Sequence, residues 1–194
     1  FSALTVKREP GNWWRNRMKF KEAVTYDDML LVPQYSDIES RSDVDLSSNL
    51  SPDLRLQLPI IASPMDTVCE TDMATAMSWL GGLGIIHRYN TIEQQTKLVS
   101  DATHKVTGLT VGAAVGVTGD YLERAQALVS AGADVLCIDV AHGHHIMMKE
   151  ALVSLRERFG TDGLTIIAGN VCTLEGVNDL ADWGADAVRA NIGG

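Results

Sequence analysis

From residue 59 onward the chain alternates short apolar runs with amphipathic stretches. The runs 59–62, 84–86, 109–115, 134–140, 164–168 and 187–190 are strand-length and rich in Ile, Val and Leu, the composition of strands buried on both faces. Between them apolar residues recur at helical spacing, as Met73, Ala76, Met77 and Leu80 do. The spacing predicts helices over 71–80, 92–99, 120–130, 146–159 and 173–183, with Asn90-Thr91 and Thr173 as caps and Gly81-Gly82 and Gly160 as stops. Ala131-Gly132-Ala133-Asp134 and Trp183-Gly184-Ala185-Asp186 are echoes of one unit, each leading into an apolar strand. Serial strand–helix units fold as an open doubly wound sheet or as a (β/α)8 barrel. No Gly-x-Gly-x-x-Gly follows the first strand, which weakens the dinucleotide-binding form of the open sheet.

Upstream the pattern is lost. Residues 25–58 read as irregular: a turn at Thr25–Asp28, a short strand at Leu30-Leu31-Val32 stopped by Pro33, then a polar loop through Ser51-Pro52-Asp53. Residues 1–17 are basic, carry Trp13 and Trp14, and lack the layout of a signal peptide. Either Met18 is the true start and 1–17 a leader or upstream extension, or 1–17 is an arm that packs its tryptophans on a partner.

Composition narrows the function. An apolar content of 45% in 194 residues supports a sizeable core, and no apolar run is long enough to span a membrane. A formal charge of −9 and a pI near 4.9 argue against a nucleic-acid surface, while a mononucleotide needs only a local anion site. Cys69, Cys137 and Cys172 show neither paired nor metal-type spacing, which suits reduced thiols in a cytoplasmic protein.

The segment Pro59–Glu70, PIIASPMDTVCE, joins the first strand to the first helix. On its generic features it reads first as a plain strand–turn–helix link, and second as a strand end presenting polar groups to a ligand. Its SPMDTV, followed by GGLGIIHR at 81–88, resembles the inosine monophosphate dehydrogenase / guanosine monophosphate reductase family, over about Phe20 to Gly194. The resemblance implies an α/β fold, a (β/α)8 TIM barrel of which residues 18–194 supply about six strands, with 25–58 wrapping its amino-terminal end. It also implies purine nucleotide contacts from Ser63 and Met65.

Other matches carry further implied roles. Asp139, with Val140 and Ala141 after the fourth strand, corresponds to the family's contact with the nicotinamide cofactor; on its own Asp139 reads equally as a cap of the next helix. His142, His144 and His145 are expected as loop residues near the cofactor. Gly169-Asn170-Val171 matches the family's GNV and places Asn170 near nucleotide or nicotinamide, where an amide both donates and accepts. Arg189 opens the family's glycine loop as a substrate-binding residue, and Gly193 matches a potassium-carbonyl position. Here Ala190 and Asn191 depart from the usual Val-Gly, although Asn tolerates left-handed backbone best among non-glycine residues. The nucleophilic cysteine of the family is expected beyond Gly194, since none of the three cysteines matches it.

The implied chemistry is attack of a thiolate at C2 of inosine monophosphate (IMP), hydride transfer to NAD, and hydrolysis to xanthosine monophosphate, with potassium bound and a homotetramer as the complete assembly. Six strands do not close an eight-stranded barrel, so a C-terminal half is an expected partner. The regulatory CBS pair has no room in the short link 94–108. VGAAVG at 111–116 and IIHRYNTIEQQ at 85–95 favour the dehydrogenase over the reductase. A non-catalytic half-barrel, and a chain completed by splicing or by association with a second chain, are the other readings.

Overall fold

The structure, a computed structural model, describes residues 26–105 and 108–191. The chain divides into two compact units between Val44 and Asp45. The described part of the first holds short 3-10 helices at Tyr26–Asp28 and Arg41–Asp43. Leu30-Leu31-Val32 is irregular there and not the expected strand. Among the described residues of that unit no strand is available to pair with it, and an isolated strand leaves its backbone groups without partners.

The second unit opens with an antiparallel hairpin, β1 (Ser48–Ser51) and β2 (Leu54–Leu56), turning at Pro52-Asp53 where the sequence suggested only loop. Six parallel strands follow, interleaved with five helices: β3 (Ile61–Ala62), α1 (Thr71–Trp79), β4 (Leu83–Ile86), α2 (Ile92–Lys105), β5 (Val111–Val115), α3 (Tyr121–Ser130), β6 (Val135–Asp139), α4 (Ile146–Phe159), β7 (Thr165–Val171), α5 (Leu174–Asp182) and β8 (Ala187–Ala190). The strands pair in chain order and curl into a six-stranded half-barrel, the partial TIM barrel expected from the sequence. Helix α2 runs six residues past its expected end, because Val99 and Ala102 continue its buried face and Lys97 pairs with Asp101 one turn on.

The strands are apolar throughout, yet their faces do different work. Ile86, Val111, Ala113, Val115, Leu136, Ile138, Ile166 and Ala168 face the helices in one cluster. Leu83, Ile85, Ala114, Val135, Cys137 and Ile167 form a second, and Leu50, Leu54 and Leu56 of the hairpin pack against it. The hairpin therefore closes the amino-terminal end of the sheet's inner face. A buried bond between the hydroxyls of Ser51 and Thr165, 2.9 Å, anchors it.

The sequence echo has a structural basis. Helices α3 and α5 both end in a Schellman turn, with Gly132 at φ +100° and Gly184 at φ +112°. The N–H groups of Ala133 and Ala185 reach back to the carbonyls of Leu128 and Leu180, each at 3.0 Å. The aspartate that follows then accepts from the N–H at the start of the preceding strand. Asp134 takes Val111 at 3.0 Å and Asp186 takes Ile166 at 2.7 Å. Each unit thus ends its helix and fixes the next strand's register with the same four residues.

Candidate functional site

Parallel strands bring all their carboxyl ends to one rim, and there the inner face changes from apolar to polar. Asp139 of β6, Gly169 of β7 and Arg189 of β8 stand in register on adjacent strands. The Arg189 guanidinium spans Gly169 to form an ion pair with the Asp139 carboxylate. Only glycine fits between them, since a Cβ at 169 would lie 2.6 Å from Cβ of Arg189. One layer down, the Cys137 thiol sits 4.0 Å from Arg189 Nη1, and burial pushes its pKa up to about 12. It is a core thiol held in its neutral form.

Asn170 follows Gly169 through a cis peptide bond. Its main chain is fully engaged: its N–H donates to Val140 O at 2.9 Å and its carbonyl accepts from Gly143 N–H at 2.7 Å. Its side-chain Oδ1 is buried without a hydrogen-bond partner among the described residues. A buried acceptor left in this way costs about 1–3 kcal/mol unless a bound group satisfies it.

Toward the other edge of the sheet, the residues after β3 form a compact turn. Cys69 and Val68 donate to the carbonyl of Met65, both at 3.0 Å. Met65 is exposed and Ser63 partly buried. His87, after β4, clamps this turn: its backbone N–H donates to Cys69 O at 3.3 Å. Its buried ring accepts from Tyr89 N–H at Nδ1, 3.2 Å, so Nε2 carries the proton and donates to Glu70 Oε1, 3.0 Å. The Cys69 thiol is buried as well, and desolvation raises its pKa to about 11.

The structure brings Asp139, Asn170 and Arg189 together and sets Ser63 and Met65 on the same rim at the β3 edge. Val140 bonds its N–H to Gly169 O and turns its side chain to the outer core, while Ala141 is exposed. His144 and His145 serve helices. His144 Nε2 pairs with Asp179 Oδ2 of α5 at 2.8 Å and its ring packs on Trp183, while His145 Nδ1 caps α4 by accepting from Met147 N–H. Gly193 lies outside the described residues, as do residues 1–17. Arg88 is a rim residue that the sequence reading passed over; a basic residue directly after a buried strand was the available signal.

A family model described as the IMP dehydrogenase / GMP reductase domain matches residues 23–194. The chain belongs to the IMP dehydrogenase / GMP reductase family. It is 33% identical to an inosine-5'-monophosphate dehydrogenase of Borreliella burgdorferi and 32% identical to one of Cryptosporidium parvum, each alignment taking in 89% of this chain and 54% and 52% of those proteins. A GMP reductase of Leishmania major is 28% identical over 89% of the chain and 62% of that protein. The chain thus spans between about half and 62% of the length of these family members. The alignment with the dehydrogenase of Nitrosopumilus maritimus runs over 298 residues, longer than this chain, so that family member carries inserted residues with no counterpart here. Among the described residues no helix is long and apolar enough to cross a membrane, and no group of three or more His, Cys, Asp or Glu could hold a metal ion.

Proposed function

We propose that this chain builds one wall of the nucleotide and cofactor site of an IMP dehydrogenase. The observations that carry the reading are the Asp139–Arg189 pair and the buried Oδ1 of Asn170, without a hydrogen-bond partner among the described residues, both at the carboxyl ends of their strands. In α/β barrels ligands bind at that rim. Ser63 and Met65 take the purine nucleotide, Met65 offering an exposed apolar surface to the base. Asn170 and Arg189 orient the substrate ring. Asp139 accepts from the cofactor's ribose hydroxyls or its carboxamide NH2, with Val140 and Ala141 shaping the turn beneath it. NAD, when bound, supplies the hydride acceptor, and Gly193 contributes a carbonyl to a potassium site.

The covalent step requires a thiolate. Cys69 and Cys137 are buried with raised pKa values, so neither is suited to attack at C2. Cys172 is exposed after β7 but does not match the family's cysteine motif, and the reading therefore assigns the nucleophile to a C-terminal half that completes the barrel. The complete enzyme is a cytoplasmic homotetramer acting in guanine nucleotide synthesis.

NADH formation followed at 340 nm, with IMP, NAD and potassium, tests this. Residues 18–194 alone are expected to be inactive, and the same residues joined to a family C-terminal half beginning at its Ser-x-Cys are expected to turn over. Absence of activity in the joined form would overturn the dehydrogenase reading. The alternative is GMP reductase, favoured by the reductase among the relatives; NADPH oxidation with GMP in the joined form identifies it.

A further inference from the structure

We propose that Arg88 is a positioning residue for Asp139, and that through it the turn after β4 sets the affinity of the site for its nicotinamide cofactor. This rests on the dehydrogenase reading above. Strand β5 ends at Val115, paired with Ile138 of β6, so the ladder between them stops one residue short of Asp139. Val140 turns its N–H and carbonyl toward β7, bonding Gly169 O and Asn170 N–H. Backbone groups of successive strand residues point to alternate sides, so the carbonyl of Asp139 points toward the vanished β5 and lacks a ladder donor. Arg88 supplies one. Its Nη2 donates to Asp139 O at 3.3 Å, from a residue two strands away.

The guanidinium packs past Gly116 and lies 5.7 Å from the centre of the Tyr89 ring. Its Nε is buried without a hydrogen-bond partner among the described residues. A guanidinium held there with one donor unsatisfied is unfavourable as mere packing, for which an apolar side chain of similar length would serve better. Asp139 is thereby held at both ends, by Arg88 at its main chain and by Arg189 at its carboxylate. The first contact fixes where the carboxylate stands, and the second can be exchanged for a ligand hydroxyl.

The test uses the joined form described above with Arg88→Met and Arg88→Lys, read by steady-state kinetics and by hydrogen exchange. Arg88→Met is expected to raise the KM for NAD roughly tenfold while leaving the KM for IMP within about twofold, and Arg88→Lys to restore part of the loss. Amides of residues 140–144 are expected to exchange roughly tenfold faster in Arg88→Met, with those of β4 and α2 unchanged. Unchanged exchange at 140–144 would overturn the proposal, as would KM values for both nucleotides that rise together with a lowered melting temperature. If the joined form with wild-type Arg88 does not oxidise IMP, the dehydrogenase reading fails, and the exchange result alone decides the role of Arg88.

Discussion

The two ends of the half-barrel are made by the same strands and differ in what they turn inward. At the amino-terminal end Leu83, Ile85, Val135 and Ile167 meet the leucines of the hairpin, and a polar pair there, Ser51 with Thr165, is closed on itself. At the carboxyl end β6 and β8 present the Asp139–Arg189 ion pair, and Asn170 of β7 holds a buried acceptor without a hydrogen-bond partner among the described residues. Satisfied groups in a dry layer contribute stability, whereas unsatisfied ones mark where binding energy is collected. The difference teaches that strand order alone does not separate structural from functional positions; their distance along the strand does.

Substitutions should therefore divide by end. Ile85→Ala, in the inner layer, is expected to cost about 2–5 kcal/mol in urea unfolding while leaving nucleotide KM values unchanged in whatever remains folded. At the opposite end Asp139→Ala should raise the KM for NAD by about tenfold to a hundredfold, equivalent to ~1.4–2.7 kcal/mol, with unfolding stability altered by less than about 1 kcal/mol. A fall in stability matching that of Ile85→Ala would erase the distinction between the ends. Ser51→Ala leaves the Thr165 hydroxyl buried and unpaired and should cost about 1–2 kcal/mol, without effect on NAD affinity. Its loss of stability would show the hairpin to be a bonded plug; no change would show it to be a passive cover.

The smallest effect concerns the repeated aspartates. Desolvation raises the pKa of Asp134 above its ordinary value of 3.8. A carboxyl whose folded pKa is raised favours the folded state when protonated. That contribution is present below 3.8 and lost as pH rises through the folded pKa. Asp134→Asn keeps an acceptor for Val111 N–H and removes the charge. Relative to wild type it should gain stability as pH rises across that window, by less than about 1 kcal/mol, in thermal melts between acid and neutral pH.

Much of this architecture was legible in the sequence. The helical periods and the glycine stops located five helices and six parallel strands, because local spacing is what forms them. The division of the strands into two faces was not legible, since nearly every strand position is apolar and only the curl of the sheet assigns Leu83 inward and Ile86 outward. The hairpin escaped notice because Ser48-Asn49-Leu50-Ser51 lacks the β-branched residues that signal a strand, and its stability comes from packing on residues remote in sequence. Asp139, Asn170 and Arg189 were found through motifs that resemble a family. Arg88 acts on a carbonyl 51 residues away, across an intervening strand, and no local pattern encodes that contact.

Hydrogen exchange of the intact protein, with and without IMP and NAD together, tests the central claim most directly. Ligands are expected to slow exchange at residues 63–70, 139–145 and 169–173 and to leave the hairpin at 48–56 unchanged. Protection confined to the hairpin end, or none at the carboxyl rim at saturating ligand, would contradict the assignment of that rim as the binding site.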